Sequence, residues 1–244
     1  MWWKKLLSLF MLFLITCSVL RGAQEAVKNL LPDASARPET KKFNVFVVFS
    51  ENIEQQARTV SQALKDQEGL DTFPQLGFQI HCTLYMTRYA PEKADDLKAF
   101  VASLSRSIRA FPAKTTELHQ TKDNWFFLNI DRDRNLQNLC DTVVRALAPW
   151  RAPSDQVPDW LNSYPEKMEF FKEFGSPNVF SQFEPHLTLL SRSDGEKLTR
   201  FMAKNAGDKT ISGSVSGTAF GLGLAEADGA GQMKEGITIF PFTP

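Results

Sequence analysis

Two short segments of the 244-residue chain share one pattern, in which a histidine is followed by any residue, a threonine and an apolar residue. The first pair is His81 and Thr83, and the second pair is His186 and Thr188. Each pair lies in a short apolar run bounded by turn-forming residues, which predicts a β-strand. Because side chains alternate between the two faces of a strand, the histidine and threonine of each pair are expected to point the same way.

These residue types are suited to proton transfer at a phosphate. An imidazole gains and loses a proton near neutral pH, and a hydroxyl can donate a hydrogen bond to a phosphate oxygen. Two such pairs can provide a general base and a general acid on opposite sides of one scissile bond. A single histidine in an apolar strand is more often a buried structural residue, so the prediction depends on the repetition. The chain has three histidines, and two of them lie in this context.

The segments HCTLYMT and HLTLLS, the second preceded by Phe-Glu-Pro, resemble the two signature motifs of the 2H phosphoesterase superfamily. This superfamily includes bacterial 2′-5′ RNA ligase-like proteins and cyclic phosphodiesterases. The resemblance covers roughly residues 42 to 244, judged by the order of motifs and elements. It implies that the two histidines are the general acid and base and that the two threonines bind phosphate. It also implies that no metal ion takes part.

The order of predicted elements indicates an α+β fold, with strands and helices alternating around each motif. The resemblance implies a two-lobed, pseudo-symmetric 2H phosphoesterase fold in which antiparallel sheets line a central cleft and helices lie outside. We expect the two motifs on neighbouring strands, with all four side chains facing the cleft. The proline- and aromatic-rich connection from residue 149 to 185 is predicted to form a lid, with a base-stacking platform as the alternative.

Strand alternation predicts further residues of the site. Tyr85 shares a face with His81 if the first strand is regular, and is expected to bind substrate. Arg192 shares a face with His186 if the second strand continues that far, and its guanidinium could then neutralise a phosphate. By the same alternation, Arg88 is predicted to point away from the cleft.

Composition and motif searches narrow the class of substrate. The chain has 28 Lys and Arg and 28 Asp and Glu, so no overall positive charge recruits long nucleic acid. We expect a small nucleotide or a short RNA-end phosphodiester as substrate, and a monomeric protein.

The sequence shows no pattern that would bind a metal ion or a cofactor. No cluster has metal-ligand spacing, and no glycine-rich phosphate motif occurs, so we expect no metal and no cofactor. His119 is predicted to lie on the surface. A disulfide between Cys82 and Cys140 is permitted but not indicated.

The N-terminus is predicted to direct the protein out of the cytoplasm. Two lysines precede an apolar run from Leu6 to Ile15, which is shorter than the ~20 residues that span a bilayer. Residues 1–22 are therefore predicted to be a signal peptide or a membrane anchor, and residues 23–41 a polar linker to the domain at 42–244. Cys17 follows a partial lipoprotein box, so lipid attachment stays an alternative. We expect a periplasmic or membrane-anchored protein if the host is bacterial.

Together these observations predict an exported phosphodiesterase that cleaves a 2′,3′-cyclic phosphate or a related nucleotide phosphodiester. One histidine would take a proton from water while the other protonates the leaving oxygen, and the threonines would hold the non-bridging oxygens. The orientation of the substrate decides which histidine is the acid. Two alternatives stay open: an RNA 2′-5′ end-joining enzyme that runs equivalent chemistry in reverse, and a non-catalytic nucleotide-binding module.

Overall fold

The computed structural model describes residues 39–153 and 157–243. The predicted signal segment, with Cys17, and nearly all of the predicted linker lie outside the described residues. From Thr40 onward the described residues belong to one compact unit, which begins two positions before the predicted start of the domain. Within the described ranges, no helix combines the length and the apolar character needed to cross a bilayer.

In the described part of the chain, seven antiparallel strands form one connected sheet. They are β1 (Lys41–Phe49), β2 (Cys82–Tyr89), β3 (Phe111–Gln120), β4 (Phe126–Ile130), β5 (His186–Leu190), β6 (Ser216–Glu226) and β7 (Thr238–Pro241). The strand order is β2-β1-β6-β3-β4-β5, and β7 pairs with β6. The two motif strands are therefore at opposite ends of the hydrogen-bonded order.

The motif strands nevertheless contact each other. Residues of β2 approach β5, and the Cys82 thiol interacts with the backbone of His186. The two motifs thus lie side by side without sharing a ladder of backbone hydrogen bonds. The predicted proximity of the motifs is confirmed, but the strands are not hydrogen-bonded neighbours.

Five α-helices in the described ranges pack around the sheet. They are α1 (Glu51–Glu68), α2 (Ala94–Arg106), α3 (Arg134–Leu147), α4 (Pro165–Phe174) and α5 (Gly195–Asn205). The apolar stripe of α1 is fully buried because Ile53, Val60 and Leu64 recur at helical spacing. Gly69 then ends this helix in the left-handed conformation, with φ of 69°.

The two faces of β1 show where the core and the site lie. Val45, Val47 and Phe49 belong to the main core together with the buried stripes of α1 and α3. Phe46 and Val48, which alternate with them, point to the other face and pack in a smaller cluster. The helical core therefore supports one face of the sheet, and the other face is available for a site. The predicted α+β class and antiparallel sheet are confirmed, while the two-lobed arrangement stays a prediction.

Candidate active site

The first half-site combines a covered histidine with a more open threonine. His81 immediately precedes β2, is 4% exposed and packs edge-on against Phe46, with ring centroids 5.3 Å apart. Its Nδ1 donates to the backbone carbonyl of Gln79 at 2.8 Å, so the Nδ1 proton is fixed and Nε2 is left as the acceptor. The hydroxyl of Thr83 accepts a hydrogen bond from Asn44 Nδ2 at 2.9 Å, which leaves the hydroxyl proton for another acceptor.

The second half-site repeats this backbone arrangement in a more open setting. His186 is the first residue of β5, and its Nδ1 donates to the carbonyl of Glu184 at 2.6 Å. The imidazole is half-buried and stacks on Phe127, with centroids 3.9 Å apart and ring planes 17° apart. Thr188 lies two residues along the same strand and is also half-buried. In both half-sites the histidine is therefore held by the carbonyl two residues before it.

A β-bulge directly after Thr83 reverses the predicted faces of β2. The register with β1 shifts by one residue here and leaves Leu84 without a partner, so the residues that follow turn to the opposite face. Tyr85 consequently lies in the core, 1% exposed, and donates to the carbonyl of Phe174 at 2.5 Å. The prediction that Tyr85 shares the face of the first motif is wrong. The same shift places Arg88 at the wall of the cavity, contrary to the prediction for that residue.

An equivalent bulge follows Thr188. The register between β4 and β5 shifts and leaves Leu189 unpaired, and Leu190 turns into the core, where the strand ends. Arg192 therefore lies beyond the strand, with an exposed side chain 3.7 Å from the carboxylate of Asp123. It is not among the residues that line the cavity. The condition on which its predicted phosphate contact depended, a regular strand that continues to Arg192, is not met.

A cavity of about 1450 Å³ connects the two half-sites. Thr83, His186 and Thr188 line it, as predicted for these three side chains. His81 is not among the residues that line the cavity. It packs against Phe46, and the backbone N–H of Gln79, two residues before it, donates to the carbonyl of Met233 at 2.9 Å. Its charge still acts on His186, and the position of this histidine at the cleft stays a prediction.

The part of the cavity around Phe127, the ring that stacks on His186, is rich in aromatic side chains. Trp125 and His119 flank Phe127, with ring centroids 6.3 Å and 6.4 Å from it. Trp160 and Tyr164 contribute further rings to the lining. His119, predicted at the surface, is exposed and also lines this cavity. Trp160 and Tyr164 come from the connection for which a base-stacking platform was the alternative prediction. Sequence reasoning missed the part of the wall formed by Trp125, Phe127 and His119, although the Trp-Phe-Phe run at the start of β4 was its visible signal.

One face of α4 lines the cavity through Lys167 and Phe171, and Tyr164, the residue directly before the helix, extends this lining. Lys167 is 6% exposed, and its Nζ donates to a Glu184 carboxylate oxygen at 2.6 Å and to Asn178 at 2.9 Å. The proline- and aromatic-rich connection, predicted as a lid, thus lines the cleft. The hydrogen bond between Lys167 and Glu184 also links this connection to the segment that holds His186.

Both catalytic candidates favour the neutral form. Burial lowers the pKa of His81 to about 4, against the opposing effect of its hydrogen bond to Gln79. Burial also lowers the pKa of His186 to about 4; its bond to Glu184 opposes this shift, while His81 and Lys167 reinforce it. Unless an anion lies beside them, both imidazoles are therefore neutral at pH 7.

Two buried acceptors near the cavity have no hydrogen-bond partner among the described residues. They are Asn44 Oδ1, beside Thr83, and Gln232 Oε1, whose residue is 3% exposed and lines the cavity. Such groups are rare in folded proteins and are suited to a donor on a ligand. Within the described ranges, no group of three potential ligands is arranged to hold a metal ion. Cys82 and Cys140 are both free, so the disulfide considered for them is not formed.

Comparison with solved structures gives distant likenesses. TT0787 of Thermus thermophilus is 14% identical with a TM-score of 0.47, over 82% of this chain and 97% of that one. E. coli LigT complexed with 3′-AMP is 13% identical (TM-score 0.45; 84% and 97%). Kluyveromyces marxianus Usb1 with uridine monophosphate is 12% identical (TM-score 0.39; 83% and 97%). Each of these three TM-scores is below 0.5.

Comparison with curated proteins found no match. A family model described as "Protein of unknown function (DUF1045)" matches residues 87–211, just over half of the chain. The matched region contains the cavity-lining connection and the second histidine motif, and it begins shortly after the first motif. The chain therefore belongs to this family of proteins of unknown function.

Proposed function

We propose that the protein is a metal-independent phosphodiesterase of the 2H type. Its substrate would be a 2′,3′-cyclic phosphate or a related nucleotide or RNA-end phosphodiester. The observation that carries this proposal is the repetition of one half-site: a histidine held at Nδ1 by the carbonyl two residues before it, a threonine on the same face, and a β-bulge directly afterwards. The two copies meet where β2 contacts β5.

The held tautomer suits proton transfer at Nε2. One neutral imidazole accepts a proton from water there, and the resulting hydroxide attacks phosphorus. The other imidazole must carry a proton in order to deliver it to the leaving oxygen. Because both imidazoles are neutral when no anion is near, this proton is gained when the anionic phosphate binds and raises the pKa of the nearby histidine.

The threonines are placed to hold the phosphate. Asn44 donates to the Thr83 oxygen, so the Thr83 proton is directed to a further acceptor, for which a non-bridging phosphate oxygen is suited. Thr188 lines the same cavity from the other strand. Two hydroxyl donors, one from each motif strand, would stabilise the charge that develops on the phosphate oxygens in the transition state.

The aromatic wall supports a nucleotide as the bound group. Phe127 stacks on the imidazole of His186, and Trp125 continues the row of rings away from it. Stacking of one base on such a ring contributes roughly 1–3 kcal/mol and tolerates any base. A nucleobase next to the reacting phosphate would therefore bind here without strong sequence preference.

A non-catalytic nucleotide-binding module is the second candidate, because a specific observation favours it. His81 is 4% exposed and is absent from the cavity wall. A general acid or base must come within hydrogen-bond reach of the proton that it moves. If the cover over His81 does not open, the cleft would bind phosphate and base without turnover.

A panel of substrates separates the two candidates. The purified protein would be incubated with nucleoside 2′,3′-cyclic monophosphates and with 2′-5′-linked and 3′-5′-linked dinucleotides, each with and without EDTA. We expect hydrolysis of at least one cyclic substrate, insensitive to EDTA and lost in His186→Ala. Nucleotide binding without hydrolysis would favour the binding module, and restoration of EDTA-treated protein by added Zn²⁺ would refute the metal-independent mechanism.

A further inference from the structure

Two cations lie directly opposite each other at one end of the cavity. Lys42 on β1 pairs with Arg88 on β2 in the antiparallel register, and both residues line the cavity. Like charges in directly opposed positions destabilise an antiparallel pair. Such a pair is retained at low cost only where something negative compensates for the repulsion.

The hydrogen-bond partners of these two cations are neutral oxygens. Lys42 Nζ donates to the carbonyls of Asp228 and Gly229 at 3.1 and 3.3 Å. Arg88 donates to the carbonyl and the hydroxyl of Thr40 at 3.3 and 3.4 Å. Across residues 39–153 and 157–243, neither cation forms a salt bridge.

The nearest acidic residue has another role. The carboxylate of Asp228 accepts from the backbone N–H of Gln232 at 2.8 Å and so closes the turn around Gly231. Burial and the charge of Arg88 lower the pKa of Lys42, and Asp228 opposes this only as the weakest cause. An anion between the two cations would oppose both causes of the lowered pKa of Lys42, its burial and the charge of Arg88.

The other cations that line the cavity in the described ranges do not lie on strands, and each has contacts of its own. Lys167 is bonded to Glu184, and Lys122 lies 5.5 Å from the centre of the Tyr164 ring. Arg132 donates to the carbonyls of two residues, Phe180 and Ser181. Among the described residues that line the cavity, Lys42 and Arg88 are thus the two cations that oppose each other directly in a strand pair, and neither forms a salt bridge.

The spacing along β2 gives the distance between the cation pair and the candidate active site. Because of the bulge at Leu84, Thr83, Met86 and Arg88 all reach the cavity from β2. Four regular strand steps separate Thr83 from Arg88 once the bulged residue is discounted, which corresponds to about 13 Å. Met86 provides an apolar surface between them, on which a sugar or a base could lie.

We propose that Lys42 and Arg88 bind a second phosphate of the substrate, about 13 Å along β2 from the phosphate held at Thr83. This inference rests on the proposed function and specifies its substrate class. A nucleoside 2′,3′-cyclic monophosphate carries one phosphate and fills only the active-site end. The preferred substrate is then a short oligonucleotide end, whose chain crosses Met86 and places a second phosphodiester between the two cations.

The proposal predicts that activity depends on chain length. Oligoribonucleotides of one, two and three residues, each ending in a 2′,3′-cyclic phosphate, differ by one phosphodiester at each step. We expect kcat/KM of the wild-type protein to rise with length. In Lys42→Ala/Arg88→Ala the ratio between the longest and the shortest substrate should fall by about tenfold to a hundredfold, as expected for the loss of charge-assisted contacts.

Lys41→Ala is the matched control. Lys41 is adjacent in sequence, but its ammonium pairs with Glu226 at 2.9 Å, so this variant should keep the length ratio. Added salt should reduce the ratio in the wild-type protein, because it screens the distal contact; this test needs no variant. Melting curves establish whether the double variant folds, and Lys42→Ala alone replaces it if it does not. A length ratio that is equal in wild type and variant would overturn the proposal.

A binding measurement keeps this result separate from the proposed function. Calorimetry with His186→Ala would compare a trinucleotide ending in a 3′-phosphate with a nucleoside 3′-monophosphate. If no substrate is turned over, but the trinucleotide binds more tightly and this advantage is lost with the two cations, the second site stands and the phosphodiesterase proposal fails. If turnover occurs but length has no effect, the second site fails and the phosphodiesterase proposal stands.

Discussion

In the first half-site His81 is 4% exposed and packs edge-on against Phe46, whereas in the second His186 is half-buried and lies flat against Phe127 at the cavity wall. The backbone around them is nevertheless the same, with Nδ1 bonded to the carbonyl two residues before it. The shared backbone fixes the tautomer and the face of each pair. The different surroundings decide how easily each imidazole reaches a ligand.

This difference separates two properties that a histidine pair needs. Burial keeps His81 neutral, and its hydrogen bond to Gln79 fixes the orientation of the imidazole. The wall position of His186 gives solvent and ligand direct access. We therefore expect substitutions in the two half-sites to differ in how much they lower turnover and in how much they lower the free energy of unfolding.

The largest expected effect is on turnover by the histidine variants. His81→Ala and His186→Ala should each lower kcat by about 10²–10⁴, the usual contribution of a positioned acid or base. The double variant should be little worse than the poorer single variant, because the two residues act as a unit. Steady-state kinetics with a cyclic nucleotide would measure this. Near wild-type turnover in folded His81→Ala would show that His81 is structural only.

The same variants should differ in stability. His81→Ala leaves the half-buried carbonyl of Gln79 without its donor, which costs up to roughly 1–3 kcal/mol, and also opens a cavity beside Phe46. His186→Ala leaves the corresponding group at a solvent-accessible wall, so its free energy of unfolding should change less. Urea unfolding of both variants would show the order. A greater loss in His186→Ala would contradict the assignment of closed and open half-sites.

The two β-bulges limit how much of these half-sites the sequence could predict. Alternation correctly placed Thr83 and Thr188 on the cavity side, but it failed one residue later in both strands. The readable signal was the pair of consecutive apolar residues after each threonine, Leu84-Tyr85 and Leu189-Leu190, which a regular half-buried strand would not have. Once this is seen, the core positions of Tyr85 and Leu190 follow.

Other features depend on pairings between distant segments. The opposition of Lys42 and Arg88 is set by the register between β1 and β2, and the cover over His81 involves the loop at Met233. Neither segment carries a local pattern that specifies its partner. Periodicity predicted the helices and strands because it is local, whereas the cavity wall required knowledge of which strands meet.

The threonine variants should have a smaller effect than the histidine variants. Thr83→Ala and Thr188→Ala each remove one hydrogen bond to a charged oxygen, worth roughly 1.5–3 kcal/mol of transition-state stabilisation. Thr83→Ala should also destabilise the fold, because Asn44 Nδ2 loses its acceptor. Thr→Ser at each position, which retains the hydroxyl, is the control. Equal kinetics for the alanine and serine variants would refute a role for the hydroxyls.

The pH dependence of stability should report the lowered pKa of each histidine. The folded-state pKa of His81 is lowered from 6.5 to about 4, so between these values the unfolded chain binds more protons than the folded one. The stability contributed by neutral His81 is therefore present above about pH 6.5 and lost as the pH falls towards 4, up to about 3 kcal/mol.

Urea unfolding at several pH values would test this linkage. His81→Gln should flatten the decline in the free energy of unfolding between pH 6.5 and 4, because glutamine does not titrate. His186→Gln should flatten it to a similar extent, because the pKa of His186 is also lowered to about 4. An unchanged slope in either variant would show that its histidine titrates normally in the folded protein.

The smallest expected effect is confined to the open half-site. Lys167, on α4, is bonded to Glu184, whose carbonyl holds His186, and its charge contributes to the lowered pKa of that histidine. Lys167→Met removes this charge and leaves the Glu184 carboxylate unopposed, so the pKa of His186 should rise by about half a unit. The pKa of His81 should stay the same, because Lys167 does not contribute to it.

NMR titration of the imidazole signals, assigned with the His→Gln variants, would measure both pKa values. Lys172→Met, on the exposed face of α4, is the control. A matching rise in His81 would mean that the two imidazoles titrate as one coupled pair, and the division into a closed and an open half-site would then no longer describe their protonation.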